Sequence, residues 1–395
     1  MKKLTLWAGL LWLAGLSSFS SAARAQGAIG PSPSPVNLTP LNLKSAIAPA
    51  ELAPLVQNPK PNVNAAPEAD PDLNSLLVRG RELVDAGSFG EALAVYEEAS
   101  TLDDSNARIF SSIGYLQSRQ QNFEAAVEAY ERAIELESNN PEFHYALGYA
   151  LANLERYDDA AEAYAQVTEL NANRTNAYLS LGVVRLRQEK YEEALEAFGE
   201  VATREPDNWQ VLESMGSIFI NLERYPEAIE VLTKAAQLAP DSGTVQLNLG
   251  VALFNTDKQA EGLVAFERAA QLDRDNGQLY LQLGDLYKSM DDLDRALEYY
   301  QQAERIDSNL TDAQAGIGEI LLERGDYLRA IVALRQVTER QPENADAHYH
   351  MGVALQNRNR DDEALEYFRE ALELYEQQDN SEGIDKTEEI IDELD

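Results

Sequence analysis

The stretch HYALGYALANLERYDDAAEAY, His144 to Tyr164, decides the fold. Its apolar residues recur at helical spacing in two blocks, separated by the polar turn Leu154–Asp159. Gly148 falls in the middle of the first block, where glycine costs about 1 kcal/mol relative to alanine. Tyr145, Tyr149, Tyr157 and Tyr164 surround it. The glycine needs a cause, and each tyrosine must be assigned either to a core or to a face that meets a partner.

The cause is visible at longer range. Glycines stand at Gly80, Gly114, Gly148, Gly182, Gly216, Gly250, Gly284, Gly318 and Gly352, each 34 residues after the last. A small residue follows each after 12 positions (Ala160 in the quoted stretch), and an aromatic or leucine follows 4 later (Tyr164). Nine gapless repeats therefore run from Leu73 to Gln378, starting at 73, 107, 141, 175, 209, 243, 277, 311 and 345. Each reads as a hairpin, helix A then helix B, with turn-like ends such as EPDN (Glu205 to Asn208). One hairpin cannot bury its own apolar face, so neighbours must stack. The glycine is expected where helix A meets helix B, because a side chain there would hold the two backbones apart. Tyr157 and Tyr164, in fixed phase with it, are expected in the core.

Leu147–Gly148, Tyr157, Ala160 and Tyr164, and again Leu181–Gly182, Tyr191, Ala194, Phe198 and Pro206, make this chain resemble the tetratricopeptide repeat (TPR) family. The resemblance covers about three quarters of the chain. It implies an all-α fold: a right-handed α-solenoid of nine helix-turn-helix hairpins, closed by a capping helix in residues 379–395. Two departures stand out. The family's first-turn tryptophan is replaced by His144, Tyr178, Tyr280 or other residues, and the sixth repeat has Gln259 and Gly262 where an aromatic and alanine belong. The sixth repeat is therefore expected to be locally looser. In the tail, Ile384, Thr387, Ile391 and Leu394 share one helical face and acids fill the other, which suits a solenoid end. A frayed acidic tail is the alternative.

Ahead of the repeats, Lys2 and Lys3 precede a 13-residue apolar run, and Ala23–Arg24–Ala25 offers a cleavage site. This reads as a signal peptide over residues 1–25. The run is shorter than the roughly 20 residues needed to span a bilayer. Export to the periplasm or the exterior is expected, with an uncleaved N-terminal anchor as the alternative. Ten of the 15 prolines lie between Pro31 and Pro71, so residues 26–72 read as a proline-rich tether.

The formal charge is −36, and loss of Lys2, Lys3 and Arg24 would make it −39. Such a chain repels phosphate backbones and anionic lipid, which argues against nucleic-acid binding. The absence of cysteine excludes disulfides, thiol nucleophiles and thiolate metal sites. His144, His348 and His350 fall at ordinary helix A positions, and the latter two, two apart, point in different directions. Asp273–Gly277 (DRDNG) has its glycine one position early for a calcium loop. No phosphate loop, nucleophile elbow or H-E-x-x-H is present. No catalysis, cofactor or metal is expected.

What the TPR resemblance implies for function is a concave groove lined by helices A, with ligands touching positions two, five, nine, twelve and thirteen of a repeat. Carried onto this chain, the candidates are Arg81, Arg108, Tyr115, Arg119, Tyr145, Tyr149, Asn153, Leu179, Val183, Arg187, Ile220, Asn221, Leu247, Val251, Phe254 and Asn255. The four arginines lie in repeats one to four, whereas Asp285, Asp312, Glu319, Glu323 and Asp346 crowd the last three. Some TPR modules clamp a C-terminal carboxylate with a fixed lysine. Leu77, Ser111, Tyr145 and Leu179 occupy that position here, so the clamp is not supported. The expectation is an exported, monomeric scaffold that holds a protein or peptide partner in the groove and keeps no integral membrane domain after signal cleavage. The alternatives are a structural or self-assembling spacer in the envelope, or a non-catalytic regulatory subunit of an enzyme.

Overall fold

The computed structural model describes residues 73–394, and the expected signal peptide and proline-rich tether lie outside them. The described residues form nineteen α-helices and no strand. Repeats one to five give α1 (Leu73–Asp85) and α2 (Phe89–Leu102), α3 (Ala107–Arg119) and α4 (Phe123–Leu136), α5 (Pro141–Asn153) and α6 (Tyr157–Leu170), α7 (Thr175–Arg187) and α8 (Tyr191–Arg204), and α9 (Trp209–Asn221) and α10 (Tyr225–Leu238). Repeats six to nine give α11 (Gly243–Phe254) and α12 (Gln259–Leu272), α13 (Gly277–Ser289) and α14 (Leu293–Ile306), α15 (Thr311–Glu323) and α16 (Tyr327–Arg340), and α17 (Ala345–Gln356) and α18 (Asp361–Gln377). The tail forms α19 (Ser381–Leu394), which packs on α18 and buries Gly383 and Thr387. The chain divides into two compact units, with repeats one to five in the first and residues 239–394 in the second.

Local signals set the helix starts. Asn106, Asn140, Asn208, Asn276 and Asn344 each stand one residue before a helix A and accept one of its first free amides. Between A and B, the fifteenth residue of eight repeats takes a left-handed conformation, as Glu155 does at φ 59°, or Gly87 and Gly325. The sixth repeat is the exception. There Thr256 Oγ1 donates to the Leu253 carbonyl and accepts from Lys258 N.

Within every repeat A packs on B, and each B packs on the following A inside its unit. The period's glycine makes room for a side chain rather than a backbone. A Cβ on Gly148 would lie 2.9 Å from the Tyr164 ring, and one on Gly284 would lie 2.4 Å from Tyr300. The sequence-based expectation of a backbone contact is corrected accordingly. Direct backbone approach occurs instead at Gly262, whose Cβ would meet Phe254 N at 2.8 Å and Gly250 O at 3.0 Å. The sixth repeat is thus closer-packed at this point, not looser, and its glycine replaces alanine because even a methyl does not fit.

Position four, where tryptophan was missing, ties repeats three, seven and nine to the one before. His144 Nε2 meets Ser138 O at 2.7 Å, His348 Nε2 meets Pro342 O at 3.1 Å, and the Tyr280 hydroxyl donates to Ala270 O at 2.9 Å.

Candidate functional site on the helix A faces

In the N-terminal unit the candidate residues separate by burial. Arg81, Arg108, Arg119 and Arg187 are exposed, and Asn153, Leu179 and Asn221 are half-buried. Tyr145 is fully buried, as is Val183, while Tyr115, Tyr149 and Ile220 keep 6%, 8% and 4% of their surface. In the C-terminal unit Leu247, Phe254 and Asn255 are half-buried and Val251 is buried. The expectation that Tyr115, Tyr145, Tyr149, Val183, Ile220 and Val251 face an open groove is therefore corrected.

The reasons are specific. Tyr115, Tyr149, Val183 and Val251 all occupy position nine. Helices α3 and α5, which carry Tyr115 and Tyr149, approach one another. Tyr149 also packs edge-on against Phe123 at the start of α4, 6.0 Å between ring centroids. Tyr145 meets Tyr164 edge-on at 5.5 Å and is roofed by Arg174, whose guanidinium sits 4.1 Å above its ring while pairing with Glu142. Burial raises the phenol pKa of both Tyr149 and Tyr164. Arg81, at the same position nine, is exposed.

The three candidate amides serve their own helices. Asn153, Asn221 and Asn255 donate through Nδ2 to the carbonyls of Tyr149, Ser217 and Val251 four residues back, at 2.8, 3.0 and 2.9 Å. The Val251 carbonyl also accepts from the Asn255 backbone amide, so the side chain adds a second bond at the helix end.

The charges differ between the units. In the C-terminal unit the acidic face is largely paired internally. Lys288 pairs with Glu319, the Tyr300 hydroxyl donates to Asp285 at 2.7 Å, and Asp346 accepts from the Tyr375 hydroxyl at 2.5 Å. Lys386 of α19 lies 3.8 Å from Asp346 and 4.3 Å above the Tyr349 ring. Burial lowers the His350 pKa here against the pull of Glu319 and Asp346. In the N-terminal unit the four exposed arginines make no ion pair among the described residues, although Arg119 stacks 4.9 Å over Phe89.

Two further residues escaped the sequence reading. Glu213 stands at position five of the fifth repeat, where leucine or tyrosine is commoner, and burial pushes its carboxyl up to about 7. Arg174 replaces the helix-starting asparagine, and that break in the asparagine series was the available signal of its second role.

Models of the TPR repeat match residues 80–121 and 118–155, and further tetratricopeptide repeat models match 141–174, 179–243, 213–278, 277–310 and 315–379. The chain is a tetratricopeptide repeat protein. As a TPR protein it is a scaffold for protein–protein interaction. Among solved structures it is similar to MamA, residues 41 to the end, from Desulfovibrio magneticus RS-1, at 26% identity over 42% of this chain and 95% of that one, TM-score 0.40. It is similar to YrrB, described as a TPR protein with an unusual peptide-binding site, at 22% identity over 47% and 96%, TM-score 0.42. It is also similar to a tetratricopeptide repeat protein from Parabacteroides merdae, at 15% identity over 63% and 98%, TM-score 0.43. No curated protein matches the chain. No helix among the described residues of this TPR protein is long and apolar enough to cross a membrane.

Proposed function

We propose that this TPR protein is an exported scaffold whose N-terminal unit binds an acidic, extended segment of a partner protein across its helix A face. The observation that carries the reading is the set Arg81, Arg108, Arg119 and Arg187. In a chain of charge −36, where about half of the described arginines pair with a carboxylate, these four are exposed and make no ion pair among the described residues. Arginine's planar fork grips carboxylates in two-point contacts, and free guanidinium groups along one face select an anionic chain. Leu179 and the exposed edges around it supply the apolar share of the contact. The buried Tyr145 and Tyr149 act by fixing the shape of this face rather than by touching the partner.

Export rests on the sequence of residues 1–25. Mass measurement of the protein from the extracytoplasmic fraction tests it, with a chain starting at Gln26 as the expected result. Intact Met1 in that fraction would point to an anchor, and purely cytoplasmic protein would contradict export. For the binding face, Arg108→Glu with Arg119→Glu, both exposed, is compared with the wild type in affinity capture from envelope extracts. The expected result is loss of the captured partner with unchanged helicity and melting temperature. Undiminished capture would overturn the assignment.

A further inference from the structure

In this acidic repeat array the outward residues of helix B are mostly acidic. Position 22 is glutamate in six repeats: Glu128, Glu162, Glu196, Glu230, Glu298 and Glu366. Repeat eight has Val332 there, 59% exposed. One turn earlier, where repeats seven and nine have Asp294 and Asp362, repeat eight has Leu328, also 59% exposed. Helix α16 carries Arg329, Arg335 and Arg340 against one acid, Glu339, which makes it the one helix B with a net positive charge. Both apolar changes and the reversal of charge fall on one helix, and they come with a cavity.

A cleft of about 550 Å³ opens where α14, α15 and α16 meet. Ile317 and Leu321 line it from α15, Val332 from α16, and Arg305 and Arg329 from either side. Arg305 has no carboxylate partner among the described residues, and Arg329 reaches Asp326 only at 3.4 Å while 61% exposed. Gln314 sits beneath, 1% exposed. Its amide nitrogen donates to Glu304 and Gln336, both lining the cleft, while its Oε1 has no hydrogen-bond partner among the described residues. A buried amide oxygen without a partner is destabilising, and a donor entering the cleft would relieve it.

We propose that the outer face of repeat eight docks an acidic amphipathic helix from a partner protein. Its apolar side chains would cover Leu328 and Val332 and enter the cleft onto Ile317 and Leu321, and its carboxylates would pair with Arg305, Arg329 and Arg335. The acid-for-apolar exchange favours a protein helix over an anionic membrane, because every flanking helix B presents carboxylates that a lipid surface repels. The proposal does not rest on the reading of the N-terminal unit, and its variants leave that unit's arginines in place.

The probe is a labelled model helix of about 18 residues with leucines on one face and glutamates elsewhere, beside a counterpart with lysines for glutamates. Fluorescence anisotropy follows binding to the full chain, to Leu328→Asp with Val332→Glu, and to Val264→Glu. The double variant restores the residue types of repeat seven. Val264 is another exposed valine at position 22, 66% exposed in repeat six, and serves as the control. Binding of the glutamate helix, weakened at least tenfold by the double variant and unchanged by Val264→Glu, is the expected result. The proposal is overturned by no binding of the glutamate helix, by equal binding to the double variant, by equal loss in Val264→Glu, or by equal binding of the lysine helix. Binding to phosphatidylglycerol vesicles with none to the glutamate helix would also overturn it in favour of a membrane.

Discussion

At the scale of single residues, the same amino acid has opposite roles in neighbouring helices. Gly148 in α5 faces the buried Tyr164 ring, whereas Gly199 in α8 would place a Cβ with nothing within 4 Å. Alanine gains about 1 kcal/mol of helix propensity at either site. At Gly148 that gain is outweighed, because overpacking a closed core costs about 1–3 kcal/mol. Thermal melting should therefore fall for Gly148→Ala and rise for Gly199→Ala, and the same sign for both would contradict the packing described. The period of the glycines is legible in the sequence, but the partner of each glycine is not, because it depends on how two helices cross. A second pairing spans the repeat junction. The Tyr300 ring also lies 2.6 Å from where a Gly316 Cβ would be, and Ser112 and Ser180 sit beside the buried hydroxyls of Tyr96 and Tyr164. Sixteen residues after a tyrosine the chain has Ser112, Ala146, Ser180 and Gly316, and after leucine it has Asn248 and His350. A repeat-by-repeat reading does not expose that exchange of volume.

At the scale of the helix, α9 carries the chain's clearest acid–base liability. Burial holds the Glu213 carboxyl up to about 7 in the folded state, against an ordinary value near 4.5. The folded protein therefore keeps its proton between these values while the unfolded chain has lost it. Stability contributed by this group is greatest at low pH and is lost as pH rises from about 4.5 to about 7. Replacing Glu213 by glutamine removes that slope, and above pH 7 the variant should be more stable by on the order of 2 kcal/mol. Denaturant titrations at pH 5 and pH 8 check this, and an unchanged slope would show that Glu213 is not protonated in the fold. Burial of this kind decides how much of the candidate site was legible. Position numbers place a residue on helix A correctly, yet Tyr145 is hidden by Arg174 from the following connector, nearly thirty residues along the chain. The amides at the helix ends are likewise claimed by carbonyls four residues back, a local competition that composition alone does not reveal.

At the scale of the whole molecule, the net charge of −36 sets the terms of recognition. Long-range repulsion slows approach of other acidic chains, so an acidic segment must find the exposed arginines at short range. Capture through that face should weaken as salt is raised toward 0.5 M, where screening shortens to a few ångströms. Salt-insensitive capture would point to an apolar contact instead. The repeats make the chain its own control, since a departure at one position can be judged against eight siblings. By that measure the free arginines of the first four repeats and the basic, apolar α16 are both exceptional. The most direct test of the central claim is site-specific photocrosslinking in the cell. A benzoylphenylalanine is placed at Leu179 on the helix A face or at the exposed Glu162 on helix B of the neighbouring repeat. Partner adducts from Leu179, lost when Arg108 and Arg119 are changed to glutamate, are the expected result. Adducts from Glu162 alone would contradict it.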